Sequence, residues 1–286
     1  MNESNFSFLK CFQGIATLIG LGSIIYLLII AGNMGNDNPS QNYITRKLAQ
    51  EANTYNQLEF NLVDSNAAPE PIRKLTELGF KIMVETKKYA PDYVGNDLSC
   101  THCHFAGGNT TGGSQGSISL AGVATKYPYY DKTLGKVIDL LTRINNCFLK
   151  SMNGKPLPLN SELMLALITY FQWISKNLPI YGDISWLGLA LLTSKHEGNP
   201  ENGKLLYDKY CGLCHQEKYR GEIYPPPLWG RGAFNDGAGM STIPKLSSFI
   251  YWNMPYGDAT PVLTEEEAID VATYILTKPR PHFNPQ

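Results

Sequence analysis

The sequence predicts an all-α protein, with two small helical domains in tandem behind an N-terminal membrane anchor. Three observations support this fold class: an uncharged apolar segment near the N-terminus, a Cys-x-x-Cys-His motif that occurs twice, and helical spacing of apolar residues around each motif. Helix, motif, loop and helix follow one another in both halves, which indicates a duplication of one small helical unit. A chain of 286 residues is long enough for two such domains.

The apolar segment covers residues 14–31 and contains no charged residue. Its length is about the minimum for a helix that crosses a bilayer. A cleaved signal peptide would have a shorter apolar core and a small-residue cleavage site, and residues 30–33 fit that pattern poorly. We therefore expect a cytoplasmic N-terminus at 1–13, a transmembrane signal-anchor at 14–31 and a polar tether at 32–60.

This anchor would place the protein in a bacterial inner membrane, with the domains in the periplasm. If the segment were cleaved, the domains would instead be exported as a soluble periplasmic form. The formal net charge is −1, with no block of like charge, so composition gives no indication of nucleic-acid binding.

The first domain is predicted at 61–185. Apolar residues from Ile72 to Met83 recur at helical spacing and predict a helix that ends before Tyr89. A second helix is expected at about 160–176, capped by Asn160 or Ser161. The apolar segment 180–194 joins the domains, and we expect it to pack against them.

The second domain is predicted at 186–286 and repeats this plan. A short helix near 202–207 leads to the second motif, and a final helix begins with a capping box formed by Thr264 and Glu267. The expected core side of that final helix consists of Ala268, Val271, Ala272 and Ile275.

The repeated motif is the attachment sequence of haem c, in which two cysteines form thioethers and the following histidine ligates the iron. One copy is Cys100, Cys103 and His104; the other is Cys211, Cys214 and His215. Two copies beyond an export signal predict two covalently bound haems c in cytochrome c-like domains. A zinc site built from both cysteine pairs is the alternative, but the long separation and the lack of further ligand clusters disfavour it.

The second iron needs a sixth ligand, for which Met240 and Met254 are the candidates. Met254 stands just ahead of the final helix, where a cytochrome c methionine normally returns to the haem, and it is favoured. Met240 follows a glycine-rich loop and is expected to pack. Histidine and methionine ligation raises the reduction potential and suits electron transfer.

The first iron has no such obvious partner, because residues 105–178 contain no histidine. Cys147, Met152 and Met164 offer sulfur, with Met164 better placed in a helix core. Cys147 is a lone thiol, since Cys11 lies on the other side of the predicted anchor. It is either an iron ligand or a small buried apolar residue.

Six runs of sequence resemble the dihaem thiosulfate dehydrogenases, a family that includes bifunctional tetrathionate reductases. They are Arg-Ile-Asn-Asn-Cys at 143–147 and the runs at 151–158, 95–100, 227–230, 234–240 and 253–255. They occur in the family's order, and the likeness extends over roughly residues 60 to 280.

The resemblance implies that Cys147 is the axial thiolate of an active-site haem, opposite His104. Arg143 and Ser151 would line an anion pocket beside it, although Arg143 could instead pair with a haem propionate. The electron-exit haem would be held by His215 and Met254. In this hypothesis Cys147 leaves the iron and forms a transient cysteine thiosulfonate, while Arg143 neutralises the substrate dianion.

Two positions depart from the family pattern. An arginine common in the family is missing near Gly135, where Lys132 could substitute only as a point charge. Some members carry a lysine at the position of Asn253 that can compete for the second iron, so its absence favours Met254.

The implied partners are thiosulfate and tetrathionate, together with a periplasmic cytochrome or a membrane electron-transfer partner. Two other functions fit the same motifs. A dihaem electron carrier without its own substrate would have methionine on both irons, and a sulfur-oxidising dihaem cytochrome would transfer sulfur to a carrier protein.

Overall fold

The computed structural model describes residues 68–132, 134–215, 225–257 and 261–284. The predicted N-terminus, signal-anchor and tether lie outside these ranges, so these three remain predictions. Among the described helices, none is both long and apolar enough to cross a bilayer.

Helices form most of the regular structure in the described ranges, which confirms the predicted class with one exception. Residues between the first motif and the next helix form a short antiparallel hairpin, in which Tyr130 pairs with Val137. The helices are α1 Glu70–Val84, α2 Thr86–Tyr89, α3 Leu140–Lys150, α4 Glu162–Trp173, α5 Pro200–Tyr210, α6 Ile243–Asn253 and α7 Glu265–Leu276; the strands are β1 Tyr129–Asp131 and β2 Lys136–Ile138.

The first helical core forms where α1 crosses α4. Ile82 and Met83 of α1 are buried against Met164 and Leu167 of α4. The crossing is close because Gly79 has no side chain: a Cβ atom there would lie 2.3 Å from the carbonyl oxygen of Ala166. Met164 is thus a core residue, as its helical position predicts.

The second helical core repeats this crossing with α5 and α7. A Cβ atom at Gly203 of α5 would lie 2.0 Å from the carbonyl oxygen of Asp270 in α7. The buried face of α7 contains the four residues predicted for it: Ala268, Val271, Ala272 and Ile275. A close glycine crossing in both halves is what duplication of one unit predicts.

The helix caps also follow the sequence. The Ser161 hydroxyl accepts a hydrogen bond from the N–H of Met164, so Ser161 is the N-cap of α4. Thr264 and Glu267 form the predicted capping box of α7, each side chain accepting from the other residue's N–H.

A third group of buried side chains, the joint cluster, contains residues from both halves: Leu98, Met152, Phe234, Ala238, Met240 and Phe249. The connecting segment packs beside it as expected. Trp186 is buried, and its indole N–H donates to the carbonyl of Ala121 at 3.1 Å. The N–H of Leu192 donates to the Ser248 hydroxyl on α6 at 3.0 Å.

Candidate active site

A cavity of about 390 Å³ lies beside the first motif, between α1, α3 and α4. Most of its wall is apolar, including Met83, Leu120, Ile144 and Phe148. Its polar and sulfur-bearing wall residues include Cys100, Cys103, His104, Lys126, Tyr127, Arg143, Cys147, Ser151 and Met152. The cavity therefore gathers all six residues predicted for the first site: both attachment cysteines, the histidine, Arg143, Cys147 and Ser151.

The first motif forms a tight turn at the cavity wall. The N–H groups of Cys103 and His104 both donate to the carbonyl of Cys100, at 3.1 and 2.9 Å. Thr86 fixes the start of the turn, because its hydroxyl accepts from the Cys100 N–H at 3.0 Å. Burial raises the pKa of both cysteine thiols to about 12, so as free thiols they are protonated at neutral pH.

The imidazole of His104 is held in one tautomer. Its Nδ1 lies 2.7 Å from the carbonyl oxygen of Ile118, and because a carbonyl can only accept, Nδ1 must carry the proton. Burial lowers the pKa of His104 to about 4, against the opposing effect of this hydrogen bond. The ring is neutral at pH 7, which leaves the Nε2 lone pair available to a metal.

Arg143 and Cys147 stand one turn apart on α3, so both side chains point to the same side of the helix. The Arg143 guanidinium donates to Cys147 Sγ at 2.9 Å. Ile144 and Phe148 on the neighbouring face are buried in the first core, and Asp139 caps the helix by accepting from the N–H of Thr142. The pKa of Arg143 is raised, and the electrostatic effect of the neighbouring Cys147 is the largest cause.

The described wall residues carry two cationic side chains, Arg143 and Lys126, and no carboxylate. The Lys126 ammonium donates to the carbonyl of Gly182 at 2.5 Å. Burial raises the pKa of the neighbouring Tyr127 to about 12, so its phenol is neutral at pH 7. Because the charged side chains on its described wall are cationic, this pocket favours an anionic ligand.

Lys126 and Tyr127 were not identified from the sequence. The sequence drew attention to Lys132 as the possible second cation, but Lys132 follows β1 in the hairpin turn, is exposed and does not line the cavity. Lys126 reaches the wall because a single-turn 3₁₀ helix at Val123–Lys126 turns the chain there. No periodic pattern in the sequence marks that turn.

The second motif has the same backbone turn as the first. The N–H groups of Cys214 and His215 both donate to the carbonyl of Cys211, at 3.1 and 2.9 Å. The His215 Nδ1 donates to the carbonyl of Pro226 at 3.0 Å, so this ring also presents Nε2. Burial lowers the pKa of His215.

The two methionines near the second motif differ in their packing. Met254 packs against the second core, which includes Cys211, and also against the joint cluster. Met240 is buried within the joint cluster, so it packs as the sequence suggests.

The donor chemistry suits haem c at both motifs. None of the five described cysteines is in a disulfide. In the part of the chain that the structure describes, no three His, Cys, Asp or Glu side chains converge as a metal-binding group, so the zinc alternative finds no support there. An apolar cavity with two cysteines and a neutral histidine on one wall is what a covalently attached, planar apolar cofactor requires.

Family models match both halves of the chain. A model described as SoxA/TsdA, cytochrome c domain, matches residues 92–180. A cytochrome c model matches residues 200–278.

Curated relatives match most of the chain in sequence. A thiosulfate dehydrogenase of Allochromatium vinosum is 35% identical over 211 residues, which cover 72% of this chain and 78% of the relative. One from Thiomonas intermedia is 39% identical over 215 residues, covering 73% and 67% of the two chains.

A solved structure of thiosulfate dehydrogenase (TsdBA) from Marichromatium purpuratum superposes with a TM-score of 0.69 at 32% identity. The match covers 76% of this chain and 48% of that one, so it spans about half of the solved protein.

Proposed function

Because this chain belongs to the dihaem thiosulfate dehydrogenase family, we propose that it interconverts thiosulfate and tetrathionate. In the oxidative direction, two thiosulfates join to form one tetrathionate and release two electrons. The two cytochrome c domains carry one covalently bound haem c each, and these one-electron cofactors take up or supply the electrons.

The contact between Arg143 and Cys147 is the observation that supports this site most directly. A guanidinium N–H lies 2.9 Å from Cys147 Sγ, on the wall of the cavity that also holds His104. A cation beside the thiol can bind the sulfonate oxygens of thiosulfate by charge-assisted hydrogen bonds and present its terminal sulfur to Sγ. Ser151, on the same wall, would donate a further hydrogen bond.

Cys147 would carry the sulfur in two steps. First, a bond forms between thiolate Sγ and the terminal sulfur of one thiosulfate, two electrons leave, and a cysteine thiosulfonate results. Second, a second thiosulfate attacks the transferred sulfur, the bond to Sγ breaks, and tetrathionate leaves with Cys147 again a thiolate. Each step is the reverse of one in tetrathionate reduction.

His104 and Cys147 would ligate the first iron, and His215 and Met254 the second. The neutral, hydrogen-bonded imidazoles favour this role for both histidines. Packing of Met254 against the core that contains Cys211 supports the second pair. Thiolate ligation lowers a haem potential and methionine ligation raises it, so electrons from the first site would flow to the second.

We further propose that residues 14–31 anchor the enzyme in the inner membrane, with both haem domains in the periplasm. The electron partner would then be a periplasmic cytochrome or a membrane protein that docks on the second domain.

The experiment that tests this function uses one preparation of the holoprotein and two assays. Thiosulfate with an artificial oxidant should give tetrathionate, and tetrathionate with an artificial reductant should give thiosulfate. Cys147→Gly should lower both rates by at least about a thousandfold, because it removes the nucleophile, while both haems remain attached.

Met152→Leu serves as the matched control, since it changes another sulfur in the same cavity and should retain activity. Near-full activity in Cys147→Gly would overturn the mechanism. If the wild-type protein makes no tetrathionate, the reaction itself is wrong.

A further inference from the structure

Asn253, the last residue of α6, is completely buried where the second domain meets the loop that follows the first motif. Its Oδ1 accepts from the backbone N–H of Ser117 at 2.7 Å. Its Nδ2 donates to the carbonyl of Phe249, one turn back in α6, at 3.1 Å. Both polar atoms of the amide therefore make hydrogen bonds: Nδ2 within its own helix and Oδ1 across the domains.

The loop at this contact has an unfavourable backbone conformation. Gln115 and Ser117 both have a φ of 55°, in the left-handed region that residues with a Cβ atom rarely adopt. The end of α6 holds both N–H groups: Gln115 donates to the Trp252 carbonyl at 2.8 Å, and Ser117 donates to Asn253. Such a conformation persists only where the surroundings fix it.

Ser117 and Ile118 in turn hold the first motif. The Ser117 hydroxyl accepts from the N–H of Phe105 at 2.6 Å, and the N–H of Ile118 donates to the Cys103 carbonyl at 3.1 Å. The Ile118 carbonyl accepts the Nδ1 proton of His104 at 2.7 Å. The position of this carbonyl thus depends on a loop that Asn253 holds.

We propose that Asn253 is a positioning residue through which the second domain sets the strength of the His104 hydrogen bond, and hence the reduction potential of the first haem. The connection runs from the Asn253 amide to the Ser117 N–H, through one peptide unit to the Ile118 carbonyl, and on to His104. Because Met254 follows Asn253 directly, the same helix end carries the ligand proposed for the second iron. This inference rests on the proposed role of His104 as an iron ligand.

The sign of the effect follows from the chemistry of the histidine. A hydrogen bond from Nδ1 to a carbonyl makes an imidazole a stronger donor to its metal, which stabilises the oxidised iron. Loss of the hydrogen bond between Ser117 and Asn253 should release the strained loop and lengthen the hydrogen bond from His104 to the Ile118 carbonyl. The imidazole would then be a weaker electron donor to the iron. The potential of the first haem should then rise.

The test compares three variants of the holoprotein without any thiosulfate present. Asn253→Leu keeps the same branched arrangement of heavy atoms but has no acceptor, so it should raise the midpoint potential of the first haem in a spectroelectrochemical titration and shift its ferric electron paramagnetic resonance signal. Asn253→Asp keeps an Oδ1 acceptor for Ser117, and its buried carboxyl, in the protonated form, can still donate to Phe249, so this variant should retain the wild-type resonance signal. Ser248→Ala removes the two side-chain hydrogen bonds of another buried residue in the same helix and should change neither quantity.

Amide hydrogen exchange gives a readout that is independent of the haem. The peptide containing Ser117 should exchange faster in Asn253→Leu and stay protected in Asn253→Asp. If the leucine variant does not accumulate, Asn253→Ser can replace it, because the serine side chain is too short to reach the Ser117 N–H. We expect the same rise in potential, the same change in the resonance signal and the same faster exchange.

A purely structural role for Asn253 would lower stability in Asn253→Leu and leave the signal and potential of the first haem unchanged. That result would overturn the proposal, as would an equal shift in Ser248→Ala. Neither result would bear on the thiosulfate reaction, since no substrate is used.

Discussion

At the scale of single residues, the candidate active-site cavity combines two cationic side chains with a mostly apolar wall. Arg143 donates to the sulfur atom that would react, so its position is tied to the chemistry. Lys126 lies on the same wall but is held through a backbone carbonyl, that of Gly182. Its charge can attract a dianion without contacting the reacting sulfur.

Lys126→Met should therefore weaken substrate binding more than catalysis. We expect KM for thiosulfate to rise roughly tenfold, the equivalent of about 1.4 kcal/mol, with a smaller change in kcat. The salt dependence of kcat/KM should also become shallower, because one attractive charge is lost.

Lys132→Met is the matched control, since it removes the same charge from an exposed hairpin position that does not line the cavity. It should leave KM within about twofold of the wild-type value. Equal effects of the two substitutions would show that overall charge, and not the position of Lys126, controls binding.

At the scale of helices, sequence patterns predicted those elements whose caps and apolar faces are both strong. α4, which Ser161 caps, and α7, which begins with the Thr264 capping box, are examples; α1 was predicted from its apolar spacing alone, since no side chain caps it. Two helices that position the site, α3 and α6, were not predicted. Their signals were present: Asp139 caps α3, and Leu246, Phe249 and Ile250 have helical spacing in α6.

Part of the candidate site, like part of the helical structure, could be predicted from the sequence. The haem motifs follow from covalent chemistry that needs fixed spacing. The cysteine count singled out Cys147, and the family resemblance added Arg143 and Ser151. Lys126 and Asn253 act through contacts with residues far away in the chain, Gly182 and Ser117. Such contacts leave no periodic trace in a single sequence.

Asp270 links two helices of the second domain. It is buried in α7 and accepts from the Asn199 N–H at the start of α5, from the Asn202 side chain and from His196. Burial alone would raise its pKa, but these hydrogen bonds together lower it.

A carboxyl whose folded pKa is depressed stabilises the fold above its unfolded pKa of about 3.9, and that stability is lost as pH falls through the folded value. Asp270→Asn should lower the free energy of unfolding at pH 7 by about 2 to 3 kcal/mol. The variant should also lose less stability than the wild-type protein as the pH falls. Denaturant titrations at several pH values below about pH 7 measure both effects.

The control for this prediction is Asp208→Asn, which removes an exposed carboxylate paired with Lys204 on α5. It should change stability by less than about 0.5 kcal/mol. If Asp270→Asn retained the full acid sensitivity of the wild-type protein, Asp270 would not be the titrating group.

At the scale of the whole molecule, the runs that resemble the family also join the two helical halves. The Asn96 side chain donates to the carbonyls of Ser151 and Ala233, at 2.8 and 3.2 Å. Asn235 donates to the Leu149 carbonyl at 2.9 Å, just beyond Cys147 in α3. Three of these runs thus hold the segment around the candidate nucleophile against the second domain.

The joint cluster should therefore make the two halves unfold together. Phe249 of α6 is one of its two buried phenylalanines, and its ring contacts that of Phe105 edge to face, with centroids 5.9 Å apart. Phe249→Ala would leave a cavity between the halves and should lower the free energy of unfolding by about 3 to 5 kcal/mol. Calorimetry should then resolve two thermal transitions in place of one, because the shared contacts no longer couple the cores.

Val271→Ala provides the comparison, since Val271 is fully buried in the second core and lies outside the joint cluster. It should lower the melting temperature but keep a single transition, because the halves stay coupled. Two transitions in the wild-type protein, or one in Phe249→Ala, would contradict the role assigned to the joint cluster. Coupled unfolding would also mean that the loop carrying Ser117 is stabilised by the second domain, which is the condition that control of the first haem through Asn253 requires.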